Sequence, residues 1–319
     1  MAISPDGRLG LCGGAREPVR LWELATGRRL WDLGSRGAGQ AGVATDGRWV
    51  LASGKGRILR CTLTGWALAS ETYHPQGLRP PSRVPPHDRS RCLVSDNGAV
   101  VFSATTRFVL GICRDDALRM WDLTDGACTR TLTGHTVGLT AVWLGPDARR
   151  AVSAGSDAEI RVWDMDSGEC AVFPHPGSWV SSVCLSPDGR LVLAAGQHRG
   201  HPLWLLDAGT GDFVRAFEDV RDSLSLKDPG DRSDEVQTAR FTSDGRFVVT
   251  GEDDGRIRIW ETATGRYVRT LVGHTNEVYG IALTPDDRLL LSGSLDGTLK
   301  LWELDWQSTP SCSGPGPRI

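Results

Sequence analysis

Residues 273–306 read GHTNEVYGIALTPDDRLLLSGSLDGTLKLWELDW. Three short apolar runs, 277–283, 288–293 and 298–304, are separated by Asp, Gly, Pro and Ser. Such runs between turn residues are typical of antiparallel strands joined by tight turns. In other parts of the chain a Gly turn leads into a fourth run, as in residues 265–271. The stretch therefore predicts a four-stranded antiparallel meander with strands a, b, c and d.

The same unit recurs along the whole chain. An acidic or Asn turn position occurs seven times, at Asp6, Asp46, Asn97, Asp147, Asp188, Asp244 and Asp286. The steps between these positions are 40, 51, 50, 41, 56 and 42 residues, and a period of this size indicates a repeat architecture. Strand c ends on a Trp in five repeats, at Trp22, Trp121, Trp163, Trp260 and Trp302. Cys61 and Leu206 take that position in the other two, and no helical period of useful length competes.

Composition excludes several classes of protein. The net charge is -3 without a basic stripe, which argues against nucleic acid or an anionic membrane as a partner. No run of 18 apolar residues and no signal peptide pattern are present. The eight Cys residues have no common spacing and no CxxC pair, so we interpret them as reduced core residues in a cytoplasmic protein.

The repeats resemble the WD-40 repeat family over residues 2–306. The resemblance rests on Gly134-His135 and Gly273-His274, on the Asp turns and on the Trp-Asp or Trp-Glu pairs that close strand c. It implies an all-β fold, a seven-bladed β-propeller with four-stranded antiparallel blades. The expected blades cover about 1–33, 34–70, 87–132, 133–172, 173–217, 234–271 and 272–306, followed by a disordered tail at 307–319.

The resemblance also implies a buried, hydrogen-bonded tetrad of His, Ser or Thr, Asp and Trp in a blade. Two repeats match at all four positions, with His135, Ser153, Asp157 and Trp163 in the fourth and His274, Ser292, Asp296 and Trp302 in the seventh. The sixth repeat keeps Thr250, Asp254 and Trp260 but lacks the His. We expect a structural role for the tetrads, and we expect the remaining blades to depend more on apolar packing.

Extra residues in three repeats predict a partner-binding face. Two insertions of about a dozen residues precede strand a in repeats 3 and 6. The first includes 77–86, and the second lies in 219–235. A third consists of eight extra residues between Asn97 and Trp121, which are assigned to strand b or the bc turn. In an antiparallel meander the bc and da connections share one end, so all three would project from one face, where binding function usually concentrates. The candidate residues there are Arg79, Arg83, His87, Arg221, Lys227 and Arg232. Neutral drift or disorder is the competing interpretation, since Pro and charged residues dominate both longer inserts.

Catalytic and cofactor motifs are weak. Residues 37–42 spell GxGxxG, but a strand follows instead of a helix, so we interpret the segment as a loop between blades. His198 and His201 form an HxxH with His175 and Asp207 as possible neighbours, a spacing that suits no firm metal site. No nucleophile with a paired base stands out. We therefore predict no catalytic residues, no metal and no cofactor.

The ends of the chain predict an incomplete last blade. Only three residues, Met1-Ala2-Ile3, precede the first turn, and residues 307–319 are rich in Ser, Pro and Gly, so neither end supplies a strand d for the last repeat. We expect a fragment of a longer protein. The ending 302–306 and the Arg-rich repeats look like the propellers of bacterial Ser/Thr kinase-type signalling proteins, particularly in actinobacteria.

The predicted function is a non-enzymatic scaffold, a monomeric propeller that binds a protein partner through its loop-rich face. One alternative is the sensor or recruiting module of a bacterial Ser/Thr kinase-type protein. Another is a ligand-binding or enzymatic propeller that acts at the channel mouth, since propellers can host enzymes there without a linear motif.

Overall fold

The structure, a computed structural model, describes most of the chain. The described residues are 2–4, 6–14, 17–33, 38–43, 49–54, 57–64, 67–73, 100–102, 107–113, 115–122, 127–145, 147–175, 179–197, 203–217 and 235–306. By its contacts the chain divides into two compact units, residues 1–172 and 173–319, with the boundary inside one strand. Among the described residues, no helix is long and apolar enough to span a membrane.

The first unit holds four antiparallel sheets, which we number in chain order. Sheet 1 is formed by β1 (Ala2–Ile3), β2 (Leu9–Gly14), β3 (Glu17–Glu23) and β4 (Arg28–Leu33), and sheet 2 by β5 (Ala38–Val43), β6 (Trp49–Gly54), β7 (Arg57–Thr64) and β8 (Ala67–Tyr73). Sheet 3 is formed by β9 (Val100–Phe102), β10 (Phe108–Ile112), β11 (Leu118–Asp122) and β12 (Cys128–Leu132), and sheet 4 by β13 (Leu139–Leu144), β14 (Arg150–Gly155), β15 (Glu159–Asp164) and β16 (Cys170–Pro174). The first strands of neighbouring sheets lie beside each other.

The second unit holds three more sheets. Sheet 5 is formed by β17 (Trp179–Leu185), β18 (Leu191–Gln197), β19 (Leu203–Asp207) and β20 (Phe213–Ala216), and sheet 6 by β21 (Val236–Phe241), β22 (Phe247–Glu252), β23 (Ile257–Glu261) and β24 (Tyr267–Leu271). Sheet 7 is formed by β25 (Val278–Leu283), β26 (Leu289–Ser294) and β27 (Leu299–Glu303). Here too the first strands adjoin, with β17 against β21 and β21 against β25.

The prediction of a seven-bladed propeller is wrong, although a last repeat without strand d was expected. Six sheets have four strands and form complete blades, whereas sheet 7 has three strands within the part of the chain that the structure describes. Residues 304–306, the described residues that follow β27, do not form a strand. Leu304 N–H donates to the Arg288 carbonyl at 2.8 Å, and the Trp306 indole N–H donates to the Asp287 carbonyl at 2.9 Å. The residues after β27 therefore fold back on the ab turn of their own sheet.

Four of the acidic turns owe their shape to a Ser or Thr two residues before the Asp. In sheet 1, Ser4 Oγ donates to Asp6 at 2.6 Å and accepts the Leu9 N–H at 2.8 Å. The same bonds recur around Ser186, Thr242 and Thr284. An Asx or Ser/Thr turn of this kind holds its own backbone, which explains why the motif marks the a-to-b connection.

One of the seven turns is misplaced by the sequence count. β9 begins at Val100, after Asn97, and it pairs with β10. The ab connection of sheet 3 therefore lies between residues 102 and 108, and Trp121 follows Thr105, not Asn97, by 16 residues. The eight extra residues precede β9, so their assignment to strand b or the bc turn was wrong. The GxGxxG segment was also misread, since residues 38–42 belong to β5.

Strand register confirms the phasing of the repeats that lack Trp. Trp302 pairs with Leu290, the second residue of β26. Leu206 pairs with the second residue of β18, and Cys61 with the second residue of β6. Leu206 therefore holds the strand c position in sheet 5, while Trp204 packs near His175 with ring centroids 6.5 Å apart.

Apolar cores lie between neighbouring sheets within each unit. In the first unit Leu110, Leu118 and Met120 of sheet 3 pack with Ala151 and Trp163 of sheet 4. In the second unit Val249, Ile257 and Ile259 of sheet 6 pack with Leu290 and Trp302 of sheet 7. Alternating strand residues point into these cores, as expected for sheets packed face to face. Cys12, Cys113, Cys128, Cys170 and Cys184 are free thiols, and burial raises the pKa of the Cys113 and Cys184 thiols to about 11.

Candidate functional site

Sheet 4 holds a four-residue hydrogen-bonded network. His135, in the connection before β13, places Nε2 2.7 Å from Ser153 Oγ on β14 and Nδ1 2.9 Å from Asp157 Oδ2 in the bc turn. The indole N–H of Trp163 on β15 donates to the same Ser153 hydroxyl at 2.8 Å. The structure thus brings together all four residues of the first predicted tetrad. The network ties strands b and c to both connections at one end of the sheet.

Sheet 7 repeats this arrangement with nearly identical distances. His274 lies 2.8 Å from both Asp296 Oδ2 and Ser292 Oγ, and the Trp302 indole N–H donates to Ser292 at 2.8 Å. Thr298 Oγ1 adds a donor to Asp296 at 2.7 Å. Every polar group named here has a partner, the condition under which a buried polar network stabilises a fold.

Burial governs the charge states of both tetrads. Desolvation lowers the pKa of His135 and of His274 against the opposing pull of their Asp partners, so both imidazoles are neutral near pH 7. Burial pushes the Asp157 pKa upward, but the Thr136 backbone N–H and His135 outweigh it, and that pKa lies below its usual range. The Asp296 pKa is lowered in the same way by Thr298 and His274. The geometry therefore holds an anionic carboxylate against a neutral imidazole.

Sheet 6 completes its network without a His. Thr250 accepts the Trp260 indole N–H at 3.1 Å and donates to Glu252 Oε1 at 2.9 Å. Arg258 forms an ion pair with Glu252 and donates to Asp254 Oδ2 at 2.9 Å. In this sheet Glu252 and Arg258 together take the place of the imidazole. The available sequence signal was Glu252, two residues after Thr250, where sheets 4 and 7 have Gly155 and Ser294.

The same positions carry other chemistry in sheets 1 and 3. The Trp22 indole N–H donates to Cys12 Sγ at 3.1 Å, so Cys12 stands where other sheets have Ser or Thr. In sheet 3 the guanidinium of Arg119 forms two bonds to the Asp115 carboxylate, at 2.8 and 2.6 Å. Asp115 and Arg119 correspond to Asp254 and Arg258 of sheet 6.

His, Asp and Glu side chains in sheet 4 also come close enough to suggest a metal site. Ligand atoms of His135, Asp157 and Glu159 lie within 4.8 Å of one another. Both His135 nitrogens and the Asp157 carboxylate are engaged in the tetrad, and Glu159 bonds Arg161 at 2.6 Å. The arrangement is accounted for by hydrogen bonds and an ion pair, so we assign it a structural role.

The predicted HxxH residues, His198 and His201, lie outside the described residues. Of their expected neighbours, His175 lies in the connection between β16 and β17. Asp207 lies at the opposite end of its sheet, where it accepts the Gly209 and Thr210 N–H groups in the cd turn. The structure therefore does not bring His175 and Asp207 together.

The candidate partner-face residues also fall outside the described part. These are Arg79, Arg83, His87, Arg221, Lys227 and Arg232. What the structure does describe is the end of each sheet formed by its bc turn and da connection, which we call the bc/da end. Exposed apolar residues collect there, and sequence reasoning missed them. They are Val137, Trp179, Val272, Tyr279 and Leu295.

Comparison with known protein families matches the repeats. The profile of the WD domain, G-beta repeat matches residues 126–164, 168–200, 224–261 and 265–303. These four matches cover the sheets that carry the networks of His135, Thr250 and His274. These stretches of the chain are therefore similar to WD40 repeats.

The chain is also similar to named eukaryotic proteins. It is 31% identical over 184 residues to the nuclear distribution protein nudF of Aspergillus niger, a match over 54% of this chain and 41% of that protein. It is 28% identical over 199 residues to eukaryotic translation initiation factor 3 subunit I of Scheffersomyces stipitis, over 61% and 54% of the two chains. It is 28% identical over 164 residues to the probable E3 ubiquitin ligase complex SCF subunit sconB of Arthroderma otae, over 48% and 24%. The matched stretch thus spans from a quarter to about half the length of these relatives, all of them fungal.

Proposed function

We propose that this chain, which carries WD40 repeats, is a non-enzymatic scaffold that mediates protein–protein interactions through the bc/da ends of its sheets. The observation that carries the proposal is the distribution of exposed apolar side chains. Of the eight large apolar residues that are exposed among the described residues, five lie at this end and the other three on outermost strands. Exposed apolar groups on a rigid scaffold are typical of interaction surfaces.

The relatives support the class of function. Two of the three similar proteins carry the word subunit in their names, which describes proteins that work in assemblies. WD repeats are binding modules on a shared fold, and function on such a fold resides in the surface of the individual protein. We therefore propose a protein partner, in agreement with the expected absence of an enzymatic role.

The finer predictions rest on the sequence alone. The inserted segments 77–86 and 219–235 are proposed to widen the binding surface, because their repeats place them in da connections. Cytoplasmic location and a monomeric state stay predictions. The bacterial kinase-type alternative gains nothing from the fungal relatives, and no observation favours it as a second function.

Affinity capture with the full chain tests the proposal. Variants lacking 77–86, 219–235 or both would be compared with the wild type by quantitative mass spectrometry. Arg28→Ala, an exposed change at the cd turn of sheet 1, provides the control at the opposite end of a sheet. We expect the deletions to reduce capture of at least one partner that Arg28→Ala retains.

Two results would count against this function. Unchanged partners after both deletions would remove the inserted segments from the interface. Capture of no protein above background by the wild type would remove the scaffold function itself.

A further inference from the structure

We propose that the bc/da ends of sheets 5, 6 and 7 bind an extended protein segment that carries Arg or Lys beside an apolar side chain. The surface, which we call the acidic-apolar patch, consists of Trp179, Glu235, Val272, Glu277, Tyr279 and Leu295. The inference deepens the proposed function and rests on it, since it assigns a partner chemistry to part of the same face.

Bonds between neighbouring sheets make the patch continuous within the second unit. Ser181, two residues after Trp179, donates its hydroxyl to the Val236 carbonyl at 2.5 Å, which joins the start of β17 to the start of β21. The Asp253 N–H donates to the Glu235 carbonyl at 3.1 Å, so the bc turn of sheet 6 lies beside its da connection. A β-carbon on Gly255 would meet the His274 carbonyl at 2.8 Å, which places the same bc turn against the da connection of sheet 7.

The last part of the patch closes on sheet 7. The Leu295 N–H donates to the Glu277 carbonyl at 3.0 Å, so Leu295 in the bc turn stands next to the residue that precedes β25. Tyr279 interacts electrostatically with Glu277 and with Glu235 of sheet 6. The patch therefore runs from Trp179 through Glu235 to Tyr279 and Leu295 without leaving the bc/da end.

The apolar members are exposed to a degree that is unusual for their size. Trp179 is 47% exposed, Tyr279 54%, Leu295 59% and Val272 68%. Val180 and Val278, which adjoin Trp179 and Tyr279, are completely buried, so these two exposed side chains sit on fixed strand ends. Aromatic and aliphatic side chains on a rigid support are suited to anchor a partner side chain, because little entropy is lost when they are covered.

The charge of this end selects the partner. The bc turns and described da connections of sheets 6 and 7 hold five carboxylates, Glu235, Asp253, Asp254, Glu277 and Asp296, against one base, Arg256. Arg256 lies 3.7 Å from Asp254, and Asp296 is held by His274. Glu235 and Glu277 flank Tyr279. A partner with the complementary positive charge would be attracted here, and an acidic partner would be repelled.

Tyr279 combines the exposed apolar surface of the patch with its negative charge. Burial at its hydroxyl end, a hydrogen bond with Glu277 and the nearby Glu235 raise the pKa of Tyr279 to about 12. The phenol is therefore neutral, and its ring stays exposed between two carboxylates. An Arg or Lys side chain over such a ring gains a cation–π contact while its charge faces a carboxylate.

Selection from random 12-residue peptides displayed on phage, with the immobilised full chain as target, tests the inference. Enriched peptides would be synthesised with a fluorophore, and their dissociation constants would be measured by anisotropy. The variants are E235Q/E277Q, Tyr279→Ala and Trp179→Ala. Phe213→Ala is the matched control, because Phe213 is 59% exposed but lies on β20, an outermost strand away from the patch. Urea unfolding of every variant checks that the fold is retained.

We expect enriched peptides to contain Arg or Lys next to an apolar residue. We expect E235Q/E277Q and Tyr279→Ala to weaken their binding by about tenfold or more, while Phe213→Ala leaves it unchanged. Enriched peptides without basic residues, or equal affinity for wild type and patch variants, would overturn the inference while leaving the scaffold function in place. Failure to enrich any peptide from a chain that still captures proteins would also overturn it. Failure of both selection and protein capture would instead remove the proposed function.

Discussion

The residue ten positions before the strand c Trp is shared by the polar networks of several sheets. It is Cys12 in sheet 1, Gly111 in sheet 3, Ser153 in sheet 4, Thr250 in sheet 6 and Ser292 in sheet 7. Where this residue has a hydroxyl or thiol, it accepts the indole N–H. Where the His is missing, as in sheet 6, the second bond of the hydroxyl goes to Glu252. One small side chain therefore serves several networks.

The network of sheet 6 makes a prediction for Arg258. Its side chain is 10% exposed and neutralises both Glu252 and Asp254. We expect Arg258→Leu to lower the free energy of unfolding by about 3 kcal/mol, because it removes the ion-pair partner of the buried Glu252 carboxylate. The double variant E252L/R258L should recover part of that loss. Urea unfolding measures both.

Arg8→Ala is the control for this prediction. Arg8 and Asp6 form an exposed pair at 4.0 Å, with side chains 84% and 59% exposed, and exposed pairs contribute little. A loss from Arg258→Leu no larger than that from Arg8→Ala would contradict the role assigned to the network.

Backbone conformation in the bc turns yields a second prediction. Ala158 has a φ of 61°, whereas the matching turn of sheet 7 has Gly297 with a φ of 80°. Left-handed backbone is strained for a residue with a β-carbon, and Ala158 is exposed, so its methyl group contributes little burial. We expect Ala158→Gly to raise the free energy of unfolding by roughly 1 kcal/mol.

Gly297→Ala is the reciprocal test. A β-carbon there would meet nothing within 4 Å, so only the backbone strain changes. We expect a loss of roughly 1 kcal/mol. Equal stability of both variants and the wild type in denaturant titrations would show that these turns relax without cost.

At the level of the element, the sequence predicts the strands better than the position of every turn. Alternating apolar runs and Ser/Thr-x-Asp turns mark strands a to c, because each turn holds itself through local bonds such as those of Ser4 and Asp6. Residues 95–98, which include Asn97, have the composition of an ab turn but precede β9, so the sequence count placed the ab turn of sheet 3 too early. The sequence predicts that the last repeat lacks strand d, as observed within the described residues, but it does not predict the path of residues 304–306. Whether residues 304–306 extend or fold back is decided by contacts of Trp306 with Asp287, which no local pattern encodes.

The residues of the candidate site were also predicted only in part from the sequence. Tetrad membership could be predicted because the spacing of Ser153, Asp157 and Trp163 is fixed by the strand–turn–strand unit. Glu252 and Arg258 were missed because an ion pair replaces an imidazole, a substitution of different shape at different positions. The acidic-apolar patch was missed because it joins three sheets, and exposure at a strand end depends on the neighbouring sheet.

The His-containing sheets predict a pH dependence of stability. Burial lowers the pKa of His135 and His274 below their unfolded value of about 6.5. Below that pH the unfolded chain gains protons that the folded chain resists, so stability falls as the pH drops from about 6.5 towards the folded pKa values. The carboxylates Asp157 and Asp296, whose pKa values are lowered, lose their contribution only below their unfolded value of about 4.

Urea unfolding at pH 7.5 and pH 5.5 measures this effect. We expect the wild type to lose more stability between the two values than the double variant H135Q/H274Q, which has no imidazole at either position. Equal losses would assign the pH dependence to other groups.

At the scale of the whole molecule, residues 304–306 stabilise the second unit. Trp306 stacks on Phe247 of sheet 6 at 4.8 Å, and the Arg269 guanidinium lies 5.7 Å from its ring. The Asp287 carboxylate adds a link between the two ab turns through the Ser243 N–H at 2.8 Å and its hydroxyl at 2.6 Å. These contacts attach a three-stranded sheet to a complete neighbour.

We expect Trp306→Ala to lower stability by about 2–3 kcal/mol and to speed hydrogen exchange in β21–β27, because it removes ring burial and the bond to Asp287 together. Trp306→Phe should cost less, since it retains the stacking. Trp179→Ala is the matched control, because that Trp is 47% exposed. Similar effects of the two Ala variants would show that the contact with Phe247 does not hold sheet 7.

The hydrogen-bond partner of the indole also affects tryptophan fluorescence, and this partner differs between sheet 1 and sheets 4, 6 and 7. Trp163, Trp260 and Trp302 each donate to a buried hydroxyl on their own sheet, whereas Trp22 donates to the thiol of Cys12. Thiols quench indole emission on contact and hydroxyls do so far less. A chain in which one of these four residues is the only one retained of the twelve Trp residues would therefore emit from a single sheet. Trp22 would be dark in the folded state and bright on unfolding, and the other three would report the loss of their sheets one by one.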